Sequence, residues 1–301
     1  MRFILSIDTE ADFLKYIQSP FGSLSKSYKV KWHLNRLRGY FRYAKDREGI
    51  VQIVDFLKKN KIPANFNVVA HLYLKQCNGW PHFNEQKPNA SWFFKKDWYY
   101  WDKGGDFKSK PGLYVGDFFE KHSRNRLFDF CIHNFAHECL SLENQAISDS
   151  IVSAAVSAAK SLGIRPVSAS APFNITEDIK SPETLYNSLK KSGIQIVRYM
   201  GYEDYPGGFS HAFRMVKPFK KHGLLMINGS NYFEGTNSIE KINSVILDIK
   251  NNLDKKEEVY CLCCHDFTFK SIKNLQTIFN EVLKWREEGK IKIITMKNLV
   301  K

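Results

Sequence analysis

Short apolar runs alternate with amphipathic stretches along the whole chain, and the alternation predicts a succession of strands and helices. Residues 3–7, Phe-Ile-Leu-Ser-Ile, read as a compact strand that runs into Asp8-Thr9-Glu10-Ala11-Asp12. Ile50, Ile53, Val54 and Leu57 follow the i, i+3, i+4, i+7 spacing of an amphipathic helix, and Pro63 forbids its continuation. Residues 64–69 are then a second strand, so the chain opens with a parallel βαβ unit. A third strand spans 127–132. The Ala-rich helix that follows over 145–162 has Ile147, Ile151, Ala154, Ala155, Ala158 and Leu162 on its inner face, with Gly163 as its stop. Further strands are predicted over 166–170, 194–199, 224–227 and 258–264. The helices between them open at Ser181-Pro182-Glu183, follow Ile239, Ile242, Val245, Ile246 and Ile249, and span 271–288. A short strand over 290–295 closes the chain. The pattern predicts an α/β fold: a single distorted (β/α) barrel domain over 1–301, with about seven parallel strands.

Two stretches break the alternation and read as loop insertions. Residues 13–47 are aromatic and strongly basic, with Lys29, Lys31, Arg36, Arg38 and Arg42. Residues 71–112 hold Trp80, Trp92, Trp98 and Trp101 among Asn, Lys, Gly and Pro. Long loops in compact domains tend to carry function or to plug the body. Aromatic rings stack on sugar faces, and they also anchor loops; the sequence leaves both readings open.

At 301 residues and 43% hydrophobic content, the chain can bury a sizeable core. No run approaches eighteen apolar residues, so no membrane-spanning helix is expected. The first residues enter a strand without an apolar leader, which predicts no signal peptide. Cys261, Cys263 and Cys264 fall in one predicted strand and read as inert core thiols, which favours a cytoplasmic location. That they fall within one buried strand, on alternating faces, argues against a zinc-thiolate site. The formal charge of +14 favours anionic partners. The basic residues are spread along the chain without a nucleic-acid motif, which leaves phosphorylated sugars and acidic membrane surfaces rather than nucleic acid.

The candidate chemistry lies just beyond the strands. In a parallel barrel the active site forms at the C-terminal ends of the strands. Asp8 and Glu10 follow the first strand, His133 and His137 the third, and His265 the seventh. If the chain curls after the third strand, histidines four residues apart face one point. Glu10, His133 and His137 then offer one oxygen and two nitrogens to a zinc-like cation. Asp8, two residues from Glu10 and on the same side of an extended chain, suits a general base, and His265 a general acid. The set suits amide hydrolysis.

These residues resemble the motifs of the polysaccharide deacetylases, carbohydrate esterase family four, with its NodB-homology domain. Ser6-Ile7-Asp8-Thr9-Glu10 is similar to that family's first motif, His133-Asn134-Phe135-Ala136-His137 to its second, and Cys264-His265-Asp266-Phe267 to its last. The resemblance implies Asp8 as base, His265 as acid, and Glu10, His133 and His137 as ligands of one divalent metal, Zn2+ for preference. It implies the backbone amide of Phe173, beside Pro172, at the oxyanion. Asp266 and Arg198 are taken with that substrate-binding group. The third motif departs from the family: Ser170 stands where an arginine is expected, and Arg198 is the candidate to enter the site in its stead. The implied function is metal-dependent N-deacetylation of an aminosugar in bacterial surface-glycan (lipopolysaccharide or capsule) biosynthesis. The sugar would be nucleotide-, lipid- or oligosaccharide-linked. The alternatives are a deformylase or other amide hydrolase on a lipid-linked sugar or non-sugar substrate, and a carbohydrate-binding pseudoenzyme.

Overall fold

Strand β1 (Arg2–Thr9) is buried along nearly its whole length, as a strand covered on both faces must be. In the computed structural model, residues 1–15, 47–90, 97–172, 182–199, 213–234, 237–266 and 272–300 are described. After β1 come helix α1 (Glu48–Lys59), β2 (Ala64–Val68), the two-residue strands β3 (Gln76–Cys77) and β4 (Gly105–Asp106), and α2 (Gly116–His122). There follow β5 (Phe128–Ile132), α3 (Gln145–Ser161), β6 (Ser168–Ser170), α4 (Pro182–Lys191) and β7 (Ile196–Tyr199). The chain ends with β8 (Phe219–Lys221), β9 (Leu224–Asn228), β10 (Asn231–Tyr232), α5 (Ile239–Asn251), β11 (Val259–His265), α6 (Ile272–Glu287) and β12 (Lys292–Ile293).

The main sheet has ten strands in the order β10-β11-β1-β2-β5-β6-β7-β9-β8, with β12 on β1. Seven of them, β11, β1, β2, β5, β6, β7 and β9, form a continuous parallel run. This is the distorted barrel expected from the sequence. The sheet curls until Ser230 and Phe233 donate their backbone N–H groups to Cys261 and Cys263 of β11, beside an antiparallel bridge from Val216 to Val259. Strand β8 was not legible, because Phe219-Lys220-Lys221 has no apolar run. It pairs antiparallel with β9 through a tight turn in which His222 and Gly223 both take positive φ.

Helix α3 buries Ile147, Ile151, Ala154, Ala155 and Ala158, and Leu162 caps the same face, as its spacing predicts. All six cysteines are thiols without a disulfide. Among the described residues, no helix is long and apolar enough to cross a membrane. The basic segment Lys29, Lys31, Arg36, Arg38 and Arg42 lies outside the described residues, as do Trp92 and Ser181.

The 71–112 insertion is fastened to the body. Strands β3 and β4 close it into a hairpin, and Trp98, 2% exposed, donates its indole N–H to the Ala136 carbonyl at 2.8 Å. Trp101 packs edge-on against Phe13 and His71. These two rings are therefore anchors rather than an open sugar platform, whereas Trp80 remains 38% exposed. Between β2 and β5, Phe66 is fully buried against Phe128 and Phe130, with ring centroids 5.3 and 5.5 Å away. Phe66→Ala leaves a cavity in this layer and is expected to lower unfolding stability by about 3–5 kcal/mol in denaturant titrations. A loss below about 1 kcal/mol would mean that the layer repacks around the gap.

Candidate active site

Parallel pairing sets the site. The register of β1 places Asp8 level with His265 of β11 on one side and with Asn67 of β2 on the other. Beyond β1 the chain turns sharply at Ala11, whose φ is 43°. The backbone N–H groups of Glu10 and Ala11 donate to the Asp266 carboxylate at 3.2 and 2.9 Å. Asp266 thus holds the turn that carries Glu10. Its pKa is pushed up to about 7 by burial, which outweighs those two backbone hydrogen bonds. The carboxylate is turned toward main chain at this turn.

Strand β5 delivers the histidine loop. The His133 N–H donates to the Val68 carbonyl at 2.8 Å, extending the β2–β5 ladder by one bond. The chain then curls, though not as the helical turn that the spacing suggests. Asn134 and His137 take positive φ of 55° and 62° and fold the loop back tightly. Buried Glu138 clamps it, accepting from the backbone N–H groups of Phe135 and Ala136 and from the Tyr99 hydroxyl at 2.7 Å. The Asn134 side-chain amide donates to the Glu138 carbonyl at 2.8 Å.

The result is one buried carboxylate facing three imidazoles. Glu10 Oε1 lies 3.1 Å from His137 Nε2, 3.6 Å from His133 Nε2 and 3.4 Å from His265 Nε2. His133 Nδ1 is 2.9 Å from the Ser170 carbonyl, which can only accept. Nδ1 therefore carries the hydrogen, and the Nε2 lone pair is left facing Glu10. In a tetrahedral site with bonds of about 2.0–2.1 Å, neighbouring ligand atoms lie about 3.3–3.4 Å apart. The two Glu10–ligand-histidine distances bracket that value, and the three donor atoms lie within 4.8 Å of one another. Glu10, His133 and His137 thus fit a divalent cation in spacing, burial and donor type.

Asp8 and His265 flank this group. The Asp8 carboxylate is 6% exposed. It accepts from Asn67 Nδ2 at 2.8 Å on Oδ1 and from Arg198 at 2.7 Å on Oδ2, and Oδ2 lies 4.0 Å from His265 Nε2. Burial raises the Asp8 pKa, but Arg198, His133 and His265 outweigh it and hold the carboxyl below its ordinary value. Burial likewise opposes the charge on Glu10, and the surrounding imidazoles win, holding it well below the usual range. Burial lowers the His137 pKa despite Glu10. His265 is the opposite case: Glu234, whose Oε1 is 2.7 Å from Nδ1, and Glu10 overcome burial and hold its pKa well above the ordinary value. His265 is therefore an imidazolium with Nε2 turned toward the site.

Arg198 sits on β7 directly beside Ser170 of β6 in the strand register. It is 2% exposed and donates to Ser6 as well as Asp8. It lies behind Asp8, with its guanidinium anchored from the strand next to the one that carries Ser170. Ser170 itself orients His133 through its carbonyl and its hydroxyl, 2.8 Å from Nδ1. Pro172 is buried two residues further on, and Phe173 lies outside the described residues. Sequence reasoning missed Glu234 and Asn67. Asn67 had a signal as a polar residue inside a buried strand; nothing in the spacing ties Glu234 to His265.

Neither a protein-family model nor a curated protein sequence matches the chain. Solved structures do. A protein from Mycobacterium smegmatis assigned as a polysaccharide deacetylase superposes with a TM-score of 0.57 at 13% identity, over 99% of this chain and 88% of that one. The Puue allantoinase gives 0.53 at 11% identity, over 99% and 88%. A GH57-type branching enzyme from Pyrococcus horikoshii gives 0.55 at 12% identity, over 99% and 69%. At such identities the likeness is one of fold: the chain is folded as the polysaccharide deacetylase is, as a curled, mainly parallel (β/α) sheet.

Arg198→Met leaves Asp8 buried without its countercharge. The variant is expected to lose about 3–5 kcal/mol in denaturant unfolding, and adding Asp8→Asn should recover part of that loss. Strictly additive losses in the double variant would show that the two side chains act independently.

Proposed function

We propose that this chain is a metal-dependent hydrolase of amides, belonging with the polysaccharide deacetylases and removing the acetyl group of an N-acetylated aminosugar. One observation carries the reading: a base, an acid and a three-residue ligand set from β1, β5 and β11 meet at the C-terminal end of one parallel sheet. Glu10, His133 and His137 would hold the divalent cation, with Zn2+ the best match to two imidazoles and a carboxylate. When bound, it supplies Lewis acidity to the scissile carbonyl and to water.

The chain's own groups then move the protons. Asp8 takes a proton from the attacking water on a carboxylate oxygen. Asn67 and Arg198 fix both Asp8 oxygens, and each oxygen keeps a second lone pair for this purpose. His265, held as imidazolium by Glu234, gives its Nε2 proton to the departing amide nitrogen. The products are acetate and the amine. A guanidinium on Asp8 from the strand beside Ser170 supports hydrolysis over a carbohydrate-binding pseudoenzyme.

The charge of +14 supports an anionic substrate, a nucleotide- or lipid-diphosphate-linked aminosugar of surface-glycan synthesis, with association to an acidic membrane surface. The six thiols without a disulfide support the cytoplasm as the compartment. A second reading, hydrolysis of a non-sugar amide, is supported by the fold shared with an allantoinase.

The test is a screen of acetylated nucleotide-sugars, lipid-linked sugars and oligosaccharides for released acetate, before and after chelation. Asp8→Asn should keep metal at the wild-type level yet reduce turnover at least about a hundredfold, the low end of what a positioned base contributes. Acetate release that survives either Asp8→Asn or complete chelation would remove the mechanism.

A further inference from the structure

A second group of metal-type donors lies inside the 71–112 insertion, made of residues the proposed reaction does not use. His71, Cys77, His82 and Asp102 each offer one ligand atom, and these atoms lie within 4.8 Å of one another. The His82 and Asp102 side chains are each 1% exposed and that of His71 is fully buried. Cys77 Sγ is 3.9 Å from His71 Nε2 and 3.6 Å from Asp102 Oδ1, and His71 Nε2 is 4.0 Å from Asp102 Oδ2. With metal–sulfur bonds of about 2.3 Å and metal–nitrogen bonds of about 2.0–2.1 Å, a tetrahedral site separates sulfur from its neighbours by about 3.6 Å.

The hydrogen positions point the same way. His71 Nδ1 is 3.0 Å from the Leu113 carbonyl, and His82 Nδ1 is 2.8 Å from Glu85 Oε1. Both partners accept, so both rings carry hydrogen on Nδ1 and turn Nε2 into the cluster. Such outer partners commonly set the tautomer of a metal-bound histidine. His82 Nε2 stands 2.7 Å from Asp102 Oδ2; burial opposes the imidazolium charge, but pairing with Asp102 and Glu85 outweighs it and pushes the His82 pKa up to about 11. A cation bound by this cluster would take the place of the Nε2 proton, since a metal-bound histidine is neutral. The Gly79 backbone N–H donates to Cys77 Sγ at 3.3 Å. Asp102 Oδ1 accepts from the Gly104 N–H at 3.1 Å. Gly104 has a φ of +69°, and a Cβ there would come within 2.9 Å of the Asn78 backbone. The turns that bring Cys77 and Asp102 together therefore need their glycines.

We propose that His71, Cys77, His82 and Asp102 form a structural Zn2+ site that clips the insertion onto the loop bearing His133 and His137. One thiolate, two imidazoles and a carboxylate suit this borderline-soft, tetrahedral ion, and four protein ligands leave no open position for substrate. The clip touches that loop directly. The His71 N–H donates to the Phe135 carbonyl at 2.8 Å, and the His82 ring lies 4.8 Å from the Phe135 ring. The expectation against a zinc-thiolate site, drawn from the cysteines of one strand, does not reach a site with a single cysteine and ligands spread over 71 to 102.

The full chain, purified without added metal, should contain about two equivalents of zinc by mass spectrometry. Cys77→Ala and His82→Ala should each retain about one, and so should His137→Ala, which empties the other site. Should Cys77→Ala fail to fold, the wild-type chain still decides the matter. After chelation and reloading with Co2+ it should show a near-ultraviolet sulfur-to-cobalt charge-transfer band, also present in His137→Ala. A wild-type Co2+ protein without that band, or Cys77→Ala with undiminished zinc, overturns the proposal and leaves the reading of Glu10, His133 and His137 intact. Loss of metal in His137→Ala alone would do the same.

Discussion

The register of β1 between its two neighbours governs the site. Asp8 lies level with His265 and with Asn67, so a carboxylate, an imidazole and an amide that donates to the carboxylate arrive together from three strands. A slip of one residue would turn Asp8 to the opposite face of the sheet and take Asn67 and His265 out of alignment with it. The register is held by burial. Phe3, Ile4, Leu5 and Ile7 are fully enclosed in this register. Apolar packing along the length of the sheet thereby determines polar geometry at its end.

The polar end is costly to build, and its groups support one another. Asp8 and Arg198 are both buried, and neither would be tolerated there alone. Glu10 is surrounded by imidazoles, while His265 stays charged because two carboxylates address it. Most of these charges come from different strands or from the loops behind them, so the site forms only when the sheet does. Asp266 and Glu138 serve the backbone, each accepting two main-chain N–H groups at a turn that must be sharp.

Much of this was legible in the chain. The alternation of apolar runs and amphipathic stretches marked the parallel strands, and the residues just past strands one, three and seven marked the chemistry. What stayed hidden depends on proximity in space rather than along the chain. Glu234 reaches His265 from a segment with no motif spacing to it. Strands β8 and β10 are too short and too polar for any period to register. The curl between His133 and His137 is made by left-handed residues, which the four-residue spacing renders as a helical turn. A charged residue within Ile196-Val197-Arg198-Tyr199 was visible as an anomaly, though its partner was not.

Ser170 and Arg198 stand side by side on adjacent strands, so the cation that braces the base has, in effect, an address in the sheet rather than in a motif. A parallel sheet offers each mouth position two flanking strands from which a long side chain can arrive at nearly the same point. Arginine, with its reach and its planar fork, is the side chain best able to use this redundancy. A chemical role can thus change strand while the atoms it serves stay still.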